Sequence, residues 1–180
     1  MRDGGLGDPR SAVLDHNTGV LVSAVADDRD RNLVLRERVP EDPGCGRIHI
    51  YDLEGDLFFG TTIIYPGKVG AEYHLTRGHY HRKRHHAETY QALSGSGLVL
   101  FERQEGQTER AELKPGGVTY IPPFWAHRSV NTSPVPLVFL WTCAVDAGHD
   151  YESIAGRGMS QVVVERNGMP HVENRPFAPA

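Results

Sequence analysis

His79 and His81 stand two residues apart, and Glu88 follows after six intervening residues. On an extended strand residues i and i+2 project from one face, so a strand over Tyr73–His81 turns both imidazoles the same way. The polar stretch Arg82–Ala87 is long enough to reverse the chain and return Glu88 on the next strand, facing them. Two neutral nitrogens and one carboxylate, with open positions, form a facial triad for a divalent transition metal. A fourth candidate, His127, follows the Pro-bounded stretch Ile121-Pro-Pro-Phe-Trp-Ala126, where a barrel strand would deliver one more ligand to the same cavity. A lone histidine is more often a hydrogen-bonded or solvated side chain. An HxH pair followed by a carboxylate, with a third His in a barrel-like context, reverses that balance.

The elements that must position these residues read as short strands. Arg47–Asp52 alternates and closes on Leu-Glu-Gly-Asp, and Leu57–Tyr65 ends at Pro66-Gly67. Glu72–Arg77 leads into the HxH strand, and Glu88–Leu93 ends at Ser-Gly-Ser-Gly. Gly97–Arg103 and Thr108–Leu113 flank a turn as a hairpin. Val118–Pro122 and Leu137–Val145 follow, then a short helix over Gly148–Arg157, with Asp150 placed to cap its start. Gln161–Glu165 is the last strand before a polar tail. Turn signals every 8–12 residues between such strands indicate an all-β sandwich or barrel. The stretch 31–39 could be one helical turn or an edge strand, and the charge run 27–31 reads as solvated surface. The expected organisation is an N-terminal extension over 1–44, packing on the barrel or on a dimer partner, a barrel over 45–170 and a C-terminal tail over 171–180.

A chain of 180 residues fits one domain with one substantial core. Its 39% hydrophobic and 23% charged content is that of a soluble globular protein. The formal net charge of −4 argues against general affinity for nucleic acid or anionic membrane, so an anionic ligand needs a local arrangement of donors. Cys45 and Cys143 lie far apart with no CxxC, which suggests a reducing compartment, although a single disulfide stays open. The N-terminus has no apolar signal-peptide region and no run approaches a membrane span, so the cytoplasm is expected.

Two segments, His79-x-His81-x6-Glu88-x6-Gly95 and Gly116-x5-Pro122-x4-His127-x3-Asn131, resemble the paired motifs of the cupin superfamily. No Gly stands six before His79, the loop before Glu88 is longer than usual, and Phe124 replaces a Gly. More narrowly, Thr76-Arg-Gly-His-Tyr-His81, Ala87-Glu-x-Tyr90, Pro122-Pro-Phe-Trp-Ala-His-Arg128 and Asp146-Ala-Gly-His-Asp-Tyr151 look like the cupin-type phosphoglucose isomerases. The resemblance implies a double-stranded β-helix, or jelly-roll barrel, with short peripheral helices. It implies metal ligands at His79, His81, Glu88 and His127, and one divalent transition ion per chain (Fe, Mn, Ni or Zn). It further implies a phosphate grip at Thr62, Thr76 and Gly78, substrate-pocket side chains at Tyr90, His149 and Tyr151, and a homodimer. At Cys143 the family commonly carries a pocket tyrosine, so the identity of the sugar phosphate is the open point.

The expected activity is therefore aldose–ketose isomerisation, most simply glucose 6-phosphate to fructose 6-phosphate. One route moves a proton through a cis-enediol with Glu88 as general base; the other is a metal-assisted hydride shift between C2 and C1. The pairing of Glu88 with Tyr90 on one strand face favours the first. Two alternatives stand beside it: an iron-dependent cupin oxygenase, and a relative acting on another sugar phosphate in a biosynthetic pathway. Without the resemblance, Thr61-Thr62 would read as strand residues chosen for β-propensity. Arg82-Lys-Arg-His-His86 reads as an exposed loop.

Overall fold

The computed structural model describes residues 57–175 throughout and, before them, the backbone of four strands. In chain order these four are β1 (Ala12–Leu14), β2 (Leu21–Ala24), β3 (Val34–Arg38) and β4 (Gly46–Asp52). Then come β5 (Leu57–Ile64), β6 (Lys68–Val69), β7 (Glu72–Tyr73), β8 (Tyr80–His81) and β9 (Glu88–Ser94). They are followed by β10 (Gly97–Glu102), β11 (Thr108–Leu113), β12 (Val118–Ile121), β13 (Ala126–Asn131) and β14 (Leu137–Ala144). The chain closes with β15 (His149–Asp150), the helix α1 (Glu152–Ala155), β16 (Gln161–Arg166) and β17 (Met169–Asn174).

Two sheets face each other. The larger runs β12-β9-β14-β5-β4-β3 and the smaller β11-β10-β13, with antiparallel pairing throughout. Period-2 alternation sets the inward face of β9: Glu88, Tyr90 and Ala92 are buried while Thr89 and Gln91 are exposed. Tyr90, Ala92, Phe139 and Trp141 from the large sheet meet Val99, Phe101 and Leu113 from the small one in a shared apolar core. The opposite face of the small sheet is covered as well. There Leu100, Ala126 and Val130 pack with Tyr73, Tyr80, Ile154, Met159 and Val163. Being covered on both faces explains why β13 is buried at every position, whatever the polarity of its residues.

The turn after β9 shows why Gly95 stands where it does. Its φ is +69°, and a Cβ there would lie 2.4 Å from the Pro136 carbonyl oxygen.

Several elements differ from the sequence expectations. Tyr73–His81 is not one strand: β7 and β8 flank a stretch that pairs with β13 at the isolated bridges Leu75–Val130 and His79–His127. Three residues, 76–78, oppose two, 128–129, so the HxH strand carries a bulge just before its first ligand. The helix expected over Gly148–Arg157 shrinks to α1, because His149–Asp150 pairs instead with Tyr80–His81. Asp150 still accepts a hydrogen bond from Ser153 N–H at 3.1 Å. The stretch 31–39 contributes an edge strand, β3, paired with β4. Residues 171–174, expected in the tail, complete β17 against β16. Cys143 is free and buried, whereas Cys45 lies outside the described residues.

Candidate metal centre

His79, His81, Glu88 and His127 converge. One ligand atom from each lies within 4.8 Å of all the others, and all four residues are buried. They come from separate elements: the bridge at His79, β8, the first residue of β9 and the inward face of β13. His81 Nε2 is 3.2 Å from Glu88 Oε2, and His127 Nε2 is 3.0 Å from the same oxygen. The His79 ring centroid lies 4.5 Å from that of His127 and 6.1 Å from that of His81.

The outer nitrogens fix the tautomers. Carbonyl oxygens only accept, so Nδ1–H of His81 donates to His86 O at 3.0 Å and Nδ1–H of His127 to Trp125 O at 3.4 Å. Each Nε2 is thereby left to face the Glu88 carboxylate, as in metal-binding imidazoles oriented through their second nitrogen. His127 Nε2 sits close to that carboxylate but outside hydrogen-bonding geometry. His79 has no hydrogen-bond partner for either ring nitrogen among the described residues, although both nitrogens are buried. Burial, then the neighbouring His127 and His149, hold its pKa well below that of a free imidazole, so it stands neutral. Burial pushes the Glu88 carboxyl up, but the His127 and His81 imidazoles set against it outweigh that and bring it down to about 2. Three imidazoles and one ionised carboxylate, buried together with orphaned nitrogens, suit a divalent transition ion.

Around this cluster the structure gathers most of the other expected residues. The His149 ring lies 4.6 Å from His79; Tyr151 lies 5.3 Å from His79 and stacks on His149 at 5.7 Å, with 6° between the planes. Tyr90 meets His127 edge-on at 5.8 Å. Burial, then Glu88, push the Tyr90 phenol well up, so it stands protonated beside the carboxylate. Cys143 is the direct cross-strand partner of Glu88, and burial raises its thiol pKa.

Antiparallel partners share a face. The rung Ala92–Phe139–Thr62 therefore points Thr62 inward, four rungs along from the rung that joins Glu88 to Cys143. Thr76 and Gly78 lie in the bulge before His79. Thr76 Oγ1 accepts from Ser129 N–H at 2.9 Å, and a hydroxyl so engaged still has its own proton to donate. Gly78 is buried, and a Cβ there would come within 2.6 Å of Met159 Sδ, so a side chain at this position requires Met159 to move aside. Arg77, between them, is exposed and holds its guanidinium 4.6 Å from the Tyr151 ring centroid.

The basic loop 82–86 is less free than expected. Lys83 and His86 both reach Asp146, and Arg84 reaches Asp150 at 2.7 Å. The complementary charges of the loop and of the Asp146–Asp150 stretch are visible in the sequence; their pairing across more than 60 positions is not.

Comparison with known proteins accords with this geometry. A family model described as glucose-6-phosphate isomerase (GPI) matches residues 35–179. The glucose-6-phosphate isomerase of Pyrococcus abyssi is 41% identical over 94% of this chain and 96% of its own length. That of Pyrococcus horikoshii is 46% identical over 81% of this chain and 77% of its own. Among solved structures, the oxalate decarboxylase of Lactobacillus farciminis in its formate complex superposes with a TM-score of 0.52 at 19% identity. That match covers 64% of this chain and only 32% of the longer one, and carries the cupin fold alone. The chain, an all-β cupin barrel, belongs to the glucose-6-phosphate isomerase family in its cupin-type branch.

Proposed function

We propose that this protein is a metal-dependent aldose–ketose isomerase that interconverts glucose 6-phosphate and fructose 6-phosphate. The observation that carries the reading is the buried cluster of three histidines and Glu88, with the mutually stacked rings of His149 and Tyr151 beside His79, in a chain of this family. His79, His81, Glu88 and His127 would hold the ion. When bound, a divalent metal polarises adjacent carbonyl and hydroxyl oxygens such as those on C1 and C2 of an open-chain sugar.

The chain's own residues supply the rest. Glu88, ionised and at the head of β9, accepts the C2 proton and returns it to C1, while the hydroxyl proton passes from O2 to O1. Tyr90 presents a protonated phenol beside Glu88 and steadies its carboxylate before it takes the C2 proton. His149 and Tyr151 wall the pocket and orient the sugar hydroxyls. The Thr62 and Thr76 hydroxyls and the Gly78 N–H donate to the phosphate, a role supported by the inward face of Thr62 and by the bulge that precedes His79. Iron, manganese, nickel and zinc all suit the N/O ligand set. Family resemblance further supports a cytoplasmic homodimer, which size-exclusion chromatography with light scattering tests.

The reading is tested by turnover of a panel of phosphosugars after metal reconstitution. Interconversion of glucose and fructose 6-phosphates is expected; turnover of a different phosphosugar alone would reassign the substrate, a point raised by the small Cys143 side chain opposite Glu88. C2-deuterated substrate tests the route. Loss of label to solvent supports proton transfer, and complete retention at C1 would replace it by a hydride shift.

A further inference from the structure

The segment that carries His149 and Tyr151 is held by little backbone. β15 pairs with β8 over two residues only, His149 with His81 and Asp150 with Tyr80. Arg82 N–H to Gly148 O at 3.1 Å and Lys83 N–H to Ala147 O at 3.0 Å extend the contact slightly. A ladder this short does not fix a register on its own.

Arg84 spans it from the outer face. Its Nη2 donates to Asp150 Oδ2 at 2.7 Å and to Ser153 Oγ at 2.9 Å, while the guanidinium lies 3.8 Å from the Tyr80 ring centroid. Ser153 Oγ in turn donates to Asp150 Oδ2 at 2.6 Å, which closes the arrangement. One planar cation thus touches both members of the Asp150–Tyr80 rung and the start of α1. Its backbone reaches further: Arg84 O accepts from Phe124 N–H at 2.7 Å, in the turn that delivers His127. The Lys83–Asp146 pair nearby is half exposed on both sides and holds correspondingly little.

We propose that Arg84 is a positioning residue: it clamps Asp150 so that the two flanking rings, His149 and Tyr151, stay stacked on each other beside His79. The consequence for catalysis rests on the isomerase reading above; the clamp itself does not. Arginine suits this geometry because one planar group lies over the Tyr80 ring while its Nη2 donates to two acceptors, whereas lysine offers only a point charge.

The test compares Arg84→Met and Arg84→Lys with the wild type in the metal-reconstituted protein. Arg84→Met is expected to speed amide hydrogen exchange over 148–151 while metal content per chain stays unchanged. It is also expected to lower kcat/KM for fructose 6-phosphate by about tenfold, as a small misplacement of substrate-facing groups does, with Arg84→Lys recovering part. In a His149→Ala, Tyr151→Phe background the same substitution should cost nothing further. Unchanged exchange over 148–151 would overturn the clamp, whatever the enzyme turns over. An equal loss of kcat/KM in both backgrounds would overturn its action through the two rings. A wild-type protein that isomerises no phosphosugar would instead sink the isomerase reading and leave the exchange result to decide on the clamp.

Discussion

His79 and His127 exchange both of their backbone hydrogen bonds, at 3.2 and 3.0 Å, across an isolated bridge. Two ligands far apart in sequence are therefore fixed by main chain rather than by side-chain packing, and their rings sit with centroids 4.5 Å apart. The backbone of this bridge does not depend on either imidazole, so a ligand can be removed without dismantling the strand that bears it.

That independence makes His79→Ala an informative variant. Metal content after dialysis should fall with activity, affinity dropping by about tenfold or more, while the far-UV spectrum stays that of a β protein. Retention of full metal occupancy would exclude His79 as a ligand.

Chelation should abolish turnover and lower the melting temperature together, since an ion that binds only the folded chain stabilises it. At a free concentration one hundred times Kd the gain is about 2.7 kcal/mol. Re-adding Fe²⁺, Mn²⁺, Ni²⁺ or Zn²⁺ should restore both, followed by calorimetry and a coupled assay.

Glu102 offers a pH test away from the metal centre. It is 2% exposed and accepts from Ser160 N–H at 2.6 Å, from Ser160 Oγ at 2.8 Å and from Arg157. Burial raises its pKa, but those bonds prevail and hold it below the ordinary 4.5. Its stabilisation is therefore complete above that pH and is lost as pH falls through the depressed folded value. Glu102→Gln should flatten the acid limb of a denaturation-versus-pH curve and lower neutral stability by about 1–3 kcal/mol. An unchanged acid limb would show that Glu102 is not a source of the pH dependence.

Phe124 occupies left-handed backbone at φ 70° with its ring 58% exposed. A side chain there costs about 1–2 kcal/mol, and glycine gives back about 0.4–1 kcal/mol through the unfolded chain. Phe124→Gly should leave the protein equally stable or up to about 1 kcal/mol more so, read by urea denaturation. A loss of several kcal/mol would mean that the ring holds the Pro122–Ala126 turn in place.

Gly78→Ala should cost about 1–3 kcal/mol through the collision with Met159. In a Met159→Ala background the cost should shrink by at least about 0.5 kcal/mol. Equal costs in the two backgrounds would place the demand for glycine elsewhere.

Composition, turn spacing and the HxH pattern determined an all-β barrel and the four metal-ligand candidates, because period-2 alternation and ligand chemistry are written in short segments. The family resemblance rests on equally local motifs, and the segment Asp146–Tyr151 carries His149 and Tyr151 within one of them. What tertiary structure alone decided is long-range. The bulge at 76–78 exists because Leu75 and His79 pair with Val130 and His127. The helix expected at Gly148 yields to a two-residue strand because Tyr80–His81 offers an open edge to His149–Asp150. The loop at 82–86 reads as exposed until Arg84 meets Asp150 on the outer face of the β8–β15 pair. Such pairings depend on which strands close the sheet together, and no stretch of chain a dozen residues long contains that information.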